Sequence, residues 1–212
     1  MPLQNRVDPF SKILAVPERG KFMGNRGVLH NQHQDLVTDR WKTQLWIICD
    51  TRVRPGWARR QLMTPRRYTE LFFLDEATAF AAGHRPCAEC RYQAWKHYGQ
   101  ALCQAEGHQN APKAPQINQR LHGEMRLYLR KTNPQKRPWV SLASLPDGAM
   151  FAHTDQAYLK WQNAAYPWSF AGYGPACELP KQGFRLTPEL NCLALHGGYN
   201  LQIDNSINQP VV

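Results

Sequence analysis

The most chemically specific spacing in the chain is Cys87-Ala88-Glu89-Cys90, which puts two thiols on one tight turn. A tetrahedral zinc ion takes four ligands, and such a turn supplies two of them. Another cysteine, Cys49, ends the apolar run LWIIC at residues 45–49. For a further ligand the candidates are His30, His33, His84, His97 and His122, with His122 and His84 carried forward. His84 is expected to pack, and His30 and His33 to sit in a solvated polar loop. The chain has 6 cysteines, and its start, MPLQNRVDPF, lacks the apolar stretch and cleavage site of a signal peptide. A cytoplasmic location is the expectation. In that compartment a close pair reads as metal or redox chemistry rather than as a disulfide framework. No βαβ pattern surrounds the pair, which argues against a thioredoxin-like role. Cys103, Cys177 and Cys192 stand alone and are expected to be small buried hydrophobes.

Several elements must hold these residues. LWIIC has the content of a buried strand, and YTELFFL, residues 68–74, reads as another. Asp75 then has the place of an N-cap for a short helix, EATAFAA, stopped by Gly83. After Cys90 an amphipathic helix is marked by Tyr92, Trp95, Tyr98 and Leu102 and ended by Gly107. Pro115 opens a third, with Ile117, Leu121, Met125 and Tyr128 on its face. Residues 1–44 read as short strands and loops. The polar link RKTNPQKRP, residues 130–138, is the candidate boundary between an N-terminal unit, 1–130, and a C-terminal unit, 139–212. The C-terminal unit reads as mostly β, with a Pro-Asp-Gly turn, the alternating stretch AYLKWQ, and a last helix opened by Thr187-Pro188 and closed by Gly197-Gly198. The aromatic-rich AYPWSFAGYG, residues 165–174, is expected in its core.

The segment FFLDEATAFAAGHRPCAECR, residues 72–91, resembles the second half of the metal-binding module of Ada-type DNA-repair proteins. There an aromatic strand leads into a short alanine-rich helix, an Ala-Gly turn and Arg-Pro-Cys-x-x-Cys. The resemblance extends over residues 45–91, and the longer chain is similar to a group of bacterial proteins that carry the same stretch. It implies a zinc-ribbon-like unit in which Cys49, Cys87 and Cys90 hold zinc. It also implies that a zinc-bound cysteine of the first pair, here Cys49, can accept a methyl group from a DNA phosphotriester. The first pair of that module is Cys-x-x-x-Cys, whereas here Leu45 or Val53 stands where a partner of Cys49 would be. One ligand of four is thus missing, which leaves a degenerate site, a replacement ligand or an open position.

Zinc-dependent nucleobase deaminases offer a competing pattern, His-x-Glu with Pro-Cys-x-x-Cys, in which the Glu shuttles protons. Both fragments occur here, as His122-Gly123-Glu124 and Pro86-Cys87-Ala88-Glu89-Cys90, but in inverted order. Composition adds a partner class. At 212 residues, 42% hydrophobic and 11% aromatic, the chain can bury a core, and a net charge of +10 favours an anionic partner. Arg52, Arg54, Arg59, Arg60, Arg66 and Arg67 are interleaved with Trp57 and Tyr68, so guanidinium–phosphate pairing and base stacking are both on offer. Another basic group, Arg130, Lys131, Lys136 and Arg137, lies in the link. No apolar run is long enough to span a bilayer.

The sequence therefore points to an α+β chain, a zinc-ribbon-like Ada-type unit elaborated by helices and followed by a small β-rich unit that ends in a helix. The leading expectation is a zinc-containing, nucleic-acid-associated protein linked to DNA repair or processing, with DNA ahead of RNA as partner. The alternatives are a zinc-dependent hydrolase or deaminase-like enzyme, with Cys, Cys and His ligands and Glu124 as proton shuttle, and a structural or protein-interaction module. Cys49 and Glu124 are the candidate catalytic groups.

Overall fold

A computed structural model describes residues 1–51, 61–129 and 137–208. The first half builds β1 (Arg6–Val7), β2 (Ile13–Leu14), β3 (Phe22–Asn25), β4 (Ile47–Asp50), β5 (Leu71–Phe73), α1 (Glu76–Ala81), β6 (Arg85–Pro86), α2 (Tyr92–Glu106) and α3 (Ala114–Tyr128). Among the described residues its strands form one sheet in the order β2-β1-β5-β3-β4-β6. β4 runs antiparallel to β3 and parallel to β6. The second half adds β7 (Trp139–Ser141), β8 (Met150–His153), β9 (Gln156–Trp161), β10 (Ala164–Ser169), β11 (Gly172–Tyr173), β12 (Cys177–Glu178), β13 (Gln182–Arg185) and α4 (Glu189–His196). These strands make an antiparallel sheet, β11-β10-β9-β8-β13-β7, with β12 paired to β10. The chain is thus mixed α+β.

α1 explains its own composition. All six of its residues are buried. Ala79 and Phe80 enter a core with Ile48, Phe73 and Tyr98, while Ala77 and Ala81 pack against Met150, Ala152 and Leu159 of the C-terminal sheet. Enclosed on this many sides, the helix carries alanine at positions 77, 79 and 81 where a surface helix would carry charge. Its N-cap is Asp75, whose Oδ1 accepts from the Thr78 N–H at 2.8 Å. Gly83 ends the segment at φ +83°, and a Cβ there would come within 2.4 Å of Met125 Cγ, so both the turn and the packing require glycine.

α2 and α3 occupy the segments that the apolar spacing predicts. Gly107 closes α2 in the left-handed conformation, and Ile117, Leu121, Met125 and Tyr128 are the buried face of α3 together with His122. α4 starts one residue later than its Thr-Pro signal suggests. Pro188 is the cap position, and the Thr187 hydroxyl accepts from the Met150 N–H at 2.8 Å instead of capping the helix. The main core contains Val7, Phe80 and Leu121 from before the link and Leu142, Phe151 and Leu190 from after it. α2 and α4 pack on each other inside this core, and the Tyr98 hydroxyl donates to Asn191 Oδ1 at 2.7 Å.

Candidate metal centre

β4 and β6 create the site through their register. Ile47 lies opposite Arg85 and Ile48 opposite Pro86, and the Cys87 N–H donates to the Ile48 carbonyl at 3.0 Å. Cys49 and Cys87 each come one residue after the last paired positions, Ile48 and Pro86. The chain then turns, with the Arg91 N–H reaching the Cys87 carbonyl at 3.1 Å, and enters α2. That turn brings Cys90 back beside the other two sulfurs. The Sγ atoms of Cys49, Cys87 and Cys90 all lie within 4.8 Å of one another.

This geometry can hold a metal ion. Zinc bonded to sulfur at about 2.3 Å sets neighbouring sulfurs of a tetrahedron about 3.8 Å apart, and the observed cluster is compatible with closing to that spacing. Backbone donors already surround it. The Glu89 N–H points to Cys87 Sγ at 3.4 Å, the Cys90 N–H supports the same sulfur, and the Asp50 N–H supports Cys90 Sγ. Three thiols at this distance compete for protons. Cys87 is held far below the ordinary thiol range because Cys49, then Cys90, donate to it, and contact with Cys87 and Cys90 pushes Cys49 far up. Without a cation, a second negative charge in the cluster is penalised; a divalent ion relieves that penalty.

The scaffold behind the cluster is tied down at both ends. Arg91, next to Cys90, pairs with buried Glu76 of α1 at 2.5 Å, and Glu76 also accepts from the Tyr199 hydroxyl at 2.7 Å. Asn191 of α4 donates to the carbonyls of Phe80 and His84 at 3.0 and 3.1 Å, bracing the turn that feeds β6.

Among the described residues the cluster contains three cysteines and no histidine. His84 is fully buried between Phe73 and Trp46, with ring centroids at 4.7 and 5.5 Å. Burial, reinforced by the positive charge of Arg26, holds it neutral, well below the ordinary imidazole range. His122 packs edge-on to Trp41 at 5.0 Å, and burial lowers it too. His30 is not solvated: it is 5% exposed and bridges the Thr69 hydroxyl and the Thr64 carbonyl. His33 is exposed beside Gln32, and His97 lies against Tyr199.

Glu124 lies at the start of α4. Its carboxylate accepts from the Glu189 N–H at 2.8 Å, receives the Tyr128 hydroxyl at 2.5 Å and pairs with Arg185 at 3.3 Å. Such bonds suit a helix N-terminus, where a negative charge complements the dipole. Burial nevertheless raises Glu124 above the ordinary carboxylate range.

Of the basic candidates, Arg66 and Arg67 are exposed. Arg52, Arg54, Trp57, Arg59 and Arg60 lie outside the described residues, as do Arg130, Lys131 and Lys136. Arg137 is buried, donating to the Leu186 and Phe10 carbonyls and stacking over Tyr128 at 4.8 Å. Comparison with protein-family models, curated proteins and solved structures finds no match to this chain. No helix among the described residues is long and apolar enough to cross a membrane.

One neighbour of the cluster went unmarked in the sequence, Arg85. Its signal was the i, i+2 spacing from Cys87, which places two side chains on one face of an extended segment.

Proposed function

We propose that this chain is a zinc-containing protein that associates with nucleic acid, DNA ahead of RNA, through an Ada-like module in which Cys49, Cys87 and Cys90 hold the ion. The observation that carries this reading is the meeting, within 4.8 Å, of sulfurs from two segments nearly forty residues apart. Reduced thiols do not need such an arrangement for packing, since a lone buried cysteine packs as well. A bound zinc would keep the three thiolates deprotonated near neutral pH and nucleophilic. The chain's own part is to hold them: β4 presents Cys49, the β6–α2 turn presents the other two, and backbone N–H groups stabilise their charge. The net charge of +10 and the exposed Arg66 and Arg67 supply the attraction for a polyanion. A link to DNA repair or processing follows from the resemblance to the Ada module.

The test is elemental analysis of the full chain purified under reducing conditions, followed by DNA binding across a salt series. About one zinc per chain is expected, lost in Cys87→Ser, with an affinity that falls steeply as salt rises. A wild-type protein free of metal would overturn the zinc reading. A protein that ignores DNA at low salt would overturn the nucleic-acid reading.

A further inference from the structure

Among the described residues no fourth Cys, His, Asp or Glu ligand atom joins the three sulfurs that lie within 4.8 Å of one another. Every Cys, His, Asp and Glu side chain of the sequence lies among the described residues, because RVRPGWARR, RKTNPQK and QPVV contain none. Those residues bring together Cys49, Cys87 and Cys90 alone. The outer side of the turn is open to solvent: Ala88 and Glu89 are exposed, and Cys49 and Cys90 are partly so. A closed structural zinc site uses four protein ligands, whereas three leave one position for an outside donor.

Arg85 bears on what that donor is. It is 2% exposed, yet no ion pair among the described residues includes it. Its guanidinium donates to Asn118 Oδ1 at 2.9 Å and the Pro86 carbonyl at 2.8 Å and stacks 4.6 Å from the Trp95 ring, all of them neutral groups. A buried cation without an anion is costly by several kcal/mol. The register supplies the anion: Arg85 and Cys87 share a face of the extended segment, and Ile47, opposite Arg85, shares that face with Cys49. Arg91, the other arginine beside the centre, has its charge matched by Glu76 at 2.5 Å.

Three thiolates and a divalent ion leave a single negative charge, which Arg85 cancels. An anionic fourth ligand then makes the loaded site singly negative; without Arg85 it would be doubly negative. We propose that the centre is an open binding position for an exogenous thiolate, with Arg85 as the positioning residue whose charge makes that ligand tolerable. A thiolate is the matching class because the three sulfurs already form a soft donor set. This inference rests on the metal-centre reading and adds to it an outside ligand and its chemistry.

The experiment loads the full chain with Co2+, whose visible bands report its ligands, and titrates 2-mercaptoethanol and imidazole separately. Both ligands should shift the spectrum of the wild type. Arg85→Gln should weaken 2-mercaptoethanol binding about tenfold and leave the neutral imidazole unaffected, and Arg85→Lys should restore most of the loss. Arg26→Gln removes another buried arginine, which stacks on Trp46 at 4.6 Å, and should leave both titrations unchanged. Bound cobalt whose spectrum responds to neither ligand means a closed centre and overturns the proposal with the metal reading intact. Equal weakening of thiol and imidazole in Arg85→Gln overturns the role of its charge. A chain that binds neither cobalt nor zinc removes the metal reading and this inference together.

Discussion

The hydroxyl of Tyr173, on β11 of the C-terminal sheet, donates to Asp75 Oδ2 at 2.8 Å, and Asp75 is the cap of α1. Asp75 also accepts from the Thr78 N–H and hydroxyl and from the Asp204 N–H. A fully buried carboxylate is thus satisfied by donors from three parts of the chain, and burial raises it above the ordinary carboxylate range. Tyr173→Phe removes one of those donors without leaving a cavity. Chemical denaturation should show a loss of about 1–3 kcal/mol. A change smaller than the error of that measurement would mean that the bond contributes nothing.

Asp8 gives the fold a pH signature. Burial pushes it from 3.8 up to about 6, only partly offset by the Lys12 and Phe10 N–H groups and the charges of Lys12 and Arg137. The folded chain therefore holds this proton more tightly than the unfolded chain does. The contribution is full below the unfolded value of 3.8 and is lost as pH rises toward about 6. By linkage the loss amounts to about 3 kcal/mol. Asp8→Asn stays neutral throughout, so its stability relative to wild type should climb across that window and level off above it. Parallel stability curves for the two proteins between pH 4 and 6 would contradict the assignment.

Gly197 marks the contact between α2 and α4. A Cβ at this position would lie 1.9 Å from the Ala101 carbonyl oxygen, a backbone atom that cannot rotate away. Gly197→Ala should force the helices apart and cost about 3 kcal/mol or more. Gly107→Ala is the contrast. Nothing lies within 4 Å of its Cβ, so only the strain of φ +67° should register, at about 1 kcal/mol. Thermal melts of the two variants should separate clearly, and equal shifts would show that the helix contact is soft.

What was legible in the sequence is what neighbouring residues decide together. Asp75 and Gly83 bracket α1 because capping and helix stop are properties of a few adjacent residues. α2, α3 and β9 follow from apolar periodicity, and the Cys87–Cys90 turn from its own spacing. Only tertiary structure could decide which side chains from distant segments meet. Cys49 reaches the turn because β4 pairs in parallel with β6 in one particular register, and a shift by one residue would turn its sulfur to the other face. The same packing sends His84 and His122 into aromatic surroundings and Glu124 to the start of α4, destinations that depend on partners as far as 81 residues away. Residues on both sides of the link share one core, and α1 lies between that core and a second cluster built with the C-terminal sheet.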